Sequence, residues 1–217
     1  MNALRLFPFV LIALAACQKD DEGDAMPSGG NGSGSVSVWT PEMQFTQNGQ
    51  QSILSAADWT FASASTTQHY TSPDYCHALQ EAVITNSDVP TEQWRIGFIG
   101  AFVNMNGVDP TPVQLGSMAY LNSYFYGRFL WNQTAGSYSV SEGVRIEYID
   151  QNGVHWSTDR MSTPPSANFA VTEAVSTGNA TGTLRQMKVT FKASLRNDNG
   201  DTFSVQDGAF TGPIVFL

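Results

Sequence analysis

The sequence is poor in charge, cysteine and histidine, and each shortage closes a class of chemistry. Only 13% of its 217 residues are charged, with 10 Lys and Arg against 19 Asp and Glu, net −9. A phosphate-binding face needs a surplus of Lys and Arg, so nucleic acid is excluded as a partner. Two cysteines are too few for a disulfide framework or a cysteine-rich zinc module. The only histidines, His69, His77 and His155, sit in no recognisable catalytic context. No G-x-S-x-G elbow occurs, and Gly29, Gly30, Gly32 and Gly34 lie in a Gly/Ser-rich stretch rather than between a strand and a helix. No apolar run reaches the roughly 20 residues that span a bilayer. Aromatics at 12% and hydrophobics at 41% are nonetheless too abundant for a disordered chain.

Residues 1–17 read MNALRLFPFVLIALAAC. Arg5 supplies a positive start, Leu6 to Leu14 an apolar stretch, and Ala15 and Ala16 lead into Cys17. Leu14-Ala15-Ala16-Cys17 resembles the lipobox of bacterial lipoproteins; an ordinary secretory signal with a chance Cys is the alternative. The resemblance implies cleavage after residue 16 and acylation of Cys17, hence attachment to a lipid bilayer. Lys19, Asp20, Asp21 and Glu22 follow, resembling the export signal of Bacteroidetes surface lipoproteins. That likeness implies the outer membrane, facing the cell exterior; a plain polar tether on the periplasmic face is the alternative. Residues 17–35 form an acidic, Gly/Ser-rich segment, whose last thirteen residues have a reach of about 20 Å as a coil.

The remaining 36–217 suffice for one core. Leu184 to Arg196 alternates, with Arg185, Met187, Val189, Phe191, Ala193 and Leu195 on one face and Gln186, Lys188, Thr190, Lys192, Ser194 and Arg196 on the other, which predicts a half-buried strand. Asn197-Asp198-Asn199-Gly200-Asp201 predicts a hairpin with left-handed backbone at Asn199 and Gly200. Asp207-Gly208 predicts a second such turn before Ala209–Phe216. Val144–Asp150 and Val154–Asp159 form a third hairpin around Gln151-Asn152-Gly153. Further strands are expected over 93–103, 42–47, 52–56, 58–63 and 168–176. Tyr75–Thr85 fits helix or strand. Asp109-Pro110 reads as N-cap and first residue of a short helix within 111–123. Eight to ten strands predict a single all-β antiparallel sandwich or barrel. Phe45, Gln47-Asn48-Gly49, Gly153 and a closing Phe203…Asp207-Gly208-Ala209-Phe210 resemble small lipocalin-like or sandwich domains of Bacteroidetes lipoproteins. That likeness, chiefly in 144–217, carries no site.

No catalytic set emerges. Cys76 and His77 beside Asp74 and His69 suggest a metal site, but adjacent strand residues face opposite ways, so a buried thiol and a surface imidazole are expected, with no metal and no cofactor. Asn197–Asp201 is faintly calcium-like, yet Gly208 occupies the twelfth position where a glutamate is needed. Glu142, Glu147 and Asp150 offer carboxylates for glycoside hydrolysis, against their default role on a solvated face. Tyr120, Tyr124, Phe125, Tyr126, Phe129, Trp131, Tyr138 and Trp156 crowd one part of the chain near Asn122, Asn132 and Gln133. Rings beside amides suit sugars, and Tyr124, Tyr126, Trp131 and Trp156 are the candidate ligand-binding residues; burial as core is the competing reading. The expectation is a non-enzymatic surface lipoprotein whose β domain binds a glycan, a small apolar ligand or an envelope protein. A structural accessory subunit of an outer-membrane complex and a glycoside hydrolase are the alternatives.

Overall fold

An Asn-Gly pair makes the first turn. β1 (Glu42–Gln47) and β2 (Gln50–Ser55) pair through Asn48 and Gly49, whose φ values are 51° and 77°, the backbone a two-residue hairpin requires. β3 (Trp59–Thr71), β4 (Asp74–Asn86) and β5 (Gln93–Val103) follow as an antiparallel meander. A five-residue helix, α1 (Pro112–Gly116), precedes β6 (Ser123–Tyr124). β7 (Arg128–Asn132) and β8 (Ser137–Ser141) make a separate hairpin. β9 (Gly143–Ile149) and β10 (His155–Ser157) lead into a 3₁₀ turn, Thr158–Arg160. β11 (Phe169–Asn179), β12 (Gly182–Arg196) and β13 (Thr202–Phe216) complete the chain. This computed structural model describes residues 39–71, 74–103, 105–119, 122–132, 137–161, 168–179 and 182–216. Residues 1–38, with the expected signal, Cys17, Lys19, Asp20, Asp21, Glu22 and the expected tether, lie outside them.

Eleven strands form one antiparallel sheet in the order β2-β1-β13-β12-β10-β9-β5-β4-β3, with β11 alongside β12 and β6 beside β11. The sheet curls into an open half-barrel, so the all-β expectation holds. Its concave face is the core. β12 buries Met187, Val189, Phe191, Ala193 and Leu195, the alternation read from sequence. Gln186 departs from it: the side chain is buried and its Oε1 accepts from Trp39 N at 2.8 Å. Trp94 is wedged between Phe45 and Tyr148, with ring centroids 4.7 and 4.5 Å away, and Phe98 packs edge-on against Phe169 and Tyr124. Such contacts add to the area that aromatic rings bury.

Several local expectations are corrected. Asp207-Gly208 makes no hairpin. β13 runs through it as a bulge, with Phe191 opposite Gly208 and Ala193 opposite Val205, and Asp207 takes the left-handed φ of 49°. The missing side chain matters here, because a Cβ on Gly208 would lie 2.4 Å from the Phe191 ring. At the β12–β13 turn only Gly200 has positive φ; Asn199 does not. The ambiguous 75–85 stretch is strand β4. The short helix is present, but its cap is Thr111, not Asp109: Thr111 Oγ1 accepts from Gln114 N, Gln114 Oε1 accepts from Thr111 N, and Pro112 opens the helix. Asp109 is free for other contacts.

The convex face carries a second, thinner layer. Leu79 and Ile99 form a small apolar cluster there with Phe129 of the β7–β8 hairpin. The 3₁₀ turn packs between β7, β9 and β12. Beneath these covers lies the charge that the concave core excludes.

Candidate functional site

Three strands place one charged row in register. Glu81 on β4 faces Gly97 on β5, which faces Arg145 on β9. Gly97 leaves the gap that Arg145 crosses, so Nη2 reaches Glu81 Oε1 at 2.6 Å. A Cβ on Gly97 would lie 2.7 Å from the Leu79 side chain and 3.0 Å from that of Glu81. Arg145 Nη1 also approaches Asp159 Oδ2 at 3.4 Å, and Glu147 Oε2 lies 3.6 Å from Nη2. Arg95, opposite Glu147, completes the network. The Glu81 and Asp159 side chains are 3% and 1% exposed. Burial alone would drive the Arg145 proton off; Glu81, Glu147 and Asp159 reverse that and hold the cation. Burial would likewise raise Glu147, but Arg145 and Arg95 hold it below the usual carboxylate range. Asp159 is the exception. Burial pushes its carboxyl up to about 6 despite Arg145, and its Oδ1 is buried without a hydrogen-bond partner.

Asp159 also lines an open cleft of about 380 Å³ between the 3₁₀ turn and the β12–β13 turn, residues 197–200. Three arginines converge on it: Arg128 from β7, Arg160 from the 3₁₀ turn and Arg196 from the end of β12. The whole chain has seven. Arg160 is engaged, with Nη1 donating to His155 O at 3.0 Å and paired to Asp198 at 2.8 Å. Arg128 Nη2 donates to Met161 O at 3.0 Å. Neither Arg128 nor Arg196 pairs with a carboxylate among the described residues. Gly200 makes room for Arg196, whose Nη2 lies 3.0 Å from where a Cβ would stand. Two guanidinium groups without a carboxylate partner among the described residues, and one paired group, in a cleft that Asp159 and Asp198 also line, suit an anionic ligand with planar or tetrahedral oxygens.

The residues singled out in the sequence are dispersed. Tyr126 is buried and its hydroxyl donates to Lys192 O at 2.8 Å, so it is a core residue and not a platform. Tyr124 packs edge-on against Phe98 and Phe169. Trp156 packs against Phe203, centroids 5.1 Å apart. Phe125 is 74% exposed. The side chains of Trp131, Asn132 and Tyr138, and residues Tyr120 and Gln133 entirely, lie outside the description. The carboxylates also part company. Glu142 accepts from Ala101 N, Glu147 belongs to the charged network, and Asp150 accepts from Asn152 N and Val154 N in its own turn. Asn197 Oδ1 accepts from Asp201 N and its Nδ2 donates to Asp201 Oδ2, closing the hairpin that flanks the cleft.

His69, Cys76 and Asp109 do meet. Cys76 is buried, and burial, with the Asp109 charge second, pushes its thiol up to about 11. His77 turns away and sets its ring edge-on to Tyr70, and burial lowers its pKa. Sequence reasoning missed Asp109 here and missed the arginine cleft entirely. Among the described residues no helix is long and apolar enough to cross a membrane. Comparison with family models, curated proteins and solved structures finds no match to this chain.

Proposed function

We propose that this chain is a lipid-anchored envelope protein, facing the cell exterior, whose β domain holds an acidic glycan in the arginine cleft without turning it over. The observation that carries the reading is the gathering of Arg128, Arg160 and Arg196 around one cleft in a chain of net −9. The acylation pattern at Cys17 and the Lys19–Glu22 segment support the address. A carboxylate or sulfate on a saccharide offers the planar or tetrahedral oxygens that guanidinium groups recognise. The concave core is filled by Trp94, Phe98, Phe169 and Phe210, which favours the cleft over the interior as the place for a ligand.

Two charge-assisted contacts of about 1.5–3 kcal/mol each give about 3–6 kcal/mol before the entropy of ordering, which corresponds to binding in the millimolar range, about 4 kcal/mol, or weaker. The test is calorimetric titration of the purified chain with sulfated and uronate oligosaccharides beside their neutral counterparts. Acidic members bind, binding weakens with salt, and Arg196→Gln lowers affinity at least tenfold. Affinity for a sulfated ligand rises as pH falls through about 6, because protonation of Asp159 removes a negative charge from the cleft wall, and Asp159→Asn abolishes that rise. Equal binding of neutral sugars, or an Arg196→Gln variant with unchanged affinity, overturns the reading. Retained binding of acidic peptides with no glycan binding assigns the cleft to an envelope protein. Hydrolysis of any oligosaccharide by the pure chain refutes the absence of turnover.

A further inference from the structure

We propose that His69, Cys76 and Asp109 form a binding site for a divalent metal ion of the zinc class, separate from the arginine cleft. The donors come from three parts of the chain. His69 and Cys76 are direct cross-strand partners on β3 and β4, and Asp109 arrives on the segment between β5 and α1. His69 Nε2 lies 2.7 Å from Asp109 Oδ1 and 3.9 Å from Cys76 Sγ, and the three donor atoms fall within 4.8 Å of one another. A tetrahedral zinc with bonds of about 2.0–2.3 Å holds its donor atoms about 3.3–3.6 Å apart. The observed separations bracket that value, so side-chain adjustments of up to about an ångström seat the ion.

The surroundings fit the same purpose. Thr67, two residues before His69 and on the same face of β3, donates Oγ1 to Asp109 Oδ1 at 3.0 Å. A hydrogen bond to a ligating carboxylate orients it. Thr111 caps α1, so Asp109 is not needed there. In the metal-free chain the Nε2 proton is shared with Asp109 Oδ1 at 2.7 Å; a metal at Nε2 takes its place, and the proton moves to His69 Nδ1, which is buried without a hydrogen-bond partner. One thiolate, one imidazole and one carboxylate suit zinc, cobalt or a neighbouring transition metal, whereas magnesium and calcium prefer all-oxygen sites. Asp109 is exposed, which leaves the fourth position to water, the arrangement of zinc sites that keep an open coordination position. Binding forms a sulfur–metal bond as the Cys76 thiol proton passes to solvent; nothing is oxidised or reduced.

The test is titration of the full chain with cobalt(II), read by absorption. A thiolate–cobalt charge-transfer band appears and zinc removes it by displacement. Cys17→Ser keeps the band, Cys76→Ser loses it, and Asp109→Asn weakens cobalt affinity at least tenfold. Because Cys76 is buried and its variant can fail to fold, His69→Gln provides a second loss, accepted only if its thermal melt stays cooperative. Absence of the band in the wild-type chain, its loss in Cys17→Ser, or its persistence in both folded variants overturns the assignment. Calorimetry of glycan binding by His69→Gln keeps this outcome independent of the arginine cleft.

Discussion

Replacing Asp159 with asparagine isolates the least comfortable charge in the protein. The carboxyl is 1% exposed and one of its oxygens has no partner. Its pKa rises from 3.8 to about 6 because burial outweighs Arg145. The folded state therefore binds this proton more tightly than the unfolded state. The stability it contributes is fully present below pH 3.8 and is lost as pH rises through about 6. A shift of about two units corresponds to roughly 3 kcal/mol at 1.36 kcal/mol per unit. Other groups slope the opposite way. Glu147, held low by Arg145 and Arg95, loses its contribution as pH falls below 4.5, and His77, lowered by burial, loses its own as pH falls below 6.5. Both persist in the Asp159→Asn variant and cancel when the two proteins are subtracted. Urea unfolding of each at pH values from 3.5 to 7.5 gives that difference. The variant should gain about 3 kcal/mol relative to wild type across the range, with an unchanged urea slope. A difference that stays flat within about 0.5 kcal/mol would falsify the claim that Asp159 is buried at a net electrostatic cost.

Two further outcomes test the packing and the address. Phe191→Ala, which empties the space between Phe169 and Gly208, should cost about 3–5 kcal/mol in denaturant melts, whereas Lys192→Ala on the wet face should change stability by under about 0.5 kcal/mol; equal effects would refute the facing of β12. Cys17→Ser should abolish fatty-acid labelling, and alanine at Lys19, Asp20, Asp21 and Glu22 together should keep labelling while removing protease accessibility on intact cells; a mutant shaved as readily as wild type contradicts the export reading.

β12, buried on one face, was legible as a strand; β4, buried on both, was not. β12 alternates because only one of its faces is dry. β4 does not, since Leu79 packs outward against Ile99 and Phe129 while Ala78, Ala82 and Ile84 pack inward. Two-sided burial removes the period and imitates a helix. Asp207-Gly208 was misread because a hairpin and a bulge ask for the same left-handed backbone; only the pairing of β13 across the bulge separates them. The helix cap was readable in a better place, since Thr111-Pro112-Val113-Gln114 carries a capping box whereas Asp109-Pro110 supplies only a cap and a proline. The arginine cleft gave no local signal. Arg128, Arg160 and Arg196 are more than thirty positions apart, and only the packing of β7 against the 3₁₀ turn, and of that turn against β12, gathers them. The only available hint was scarcity: in so acidic a chain, arginine demands a reason.

The register of β1 against β13 decides how the domain responds to being pulled. The chain enters β1 at Glu42, opposite Thr211, and leaves it at Gln47, opposite Val205. The cleft turn, 197–200, lies just beyond that second end. Under the proposed function, an anchor pulling on the start of β1 and a glycan held at the cleft would haul on the two strands in opposite directions along their length. Ladder hydrogen bonds lie perpendicular to the strands, so this load shears them together instead of opening them one at a time. Tension applied between β1 and β2 would peel, because those strands join at a turn and part at their open ends. The first kind of load is the one the proposed function would bring, and the strand order sets β1 directly beside β13, which follows the cleft turn.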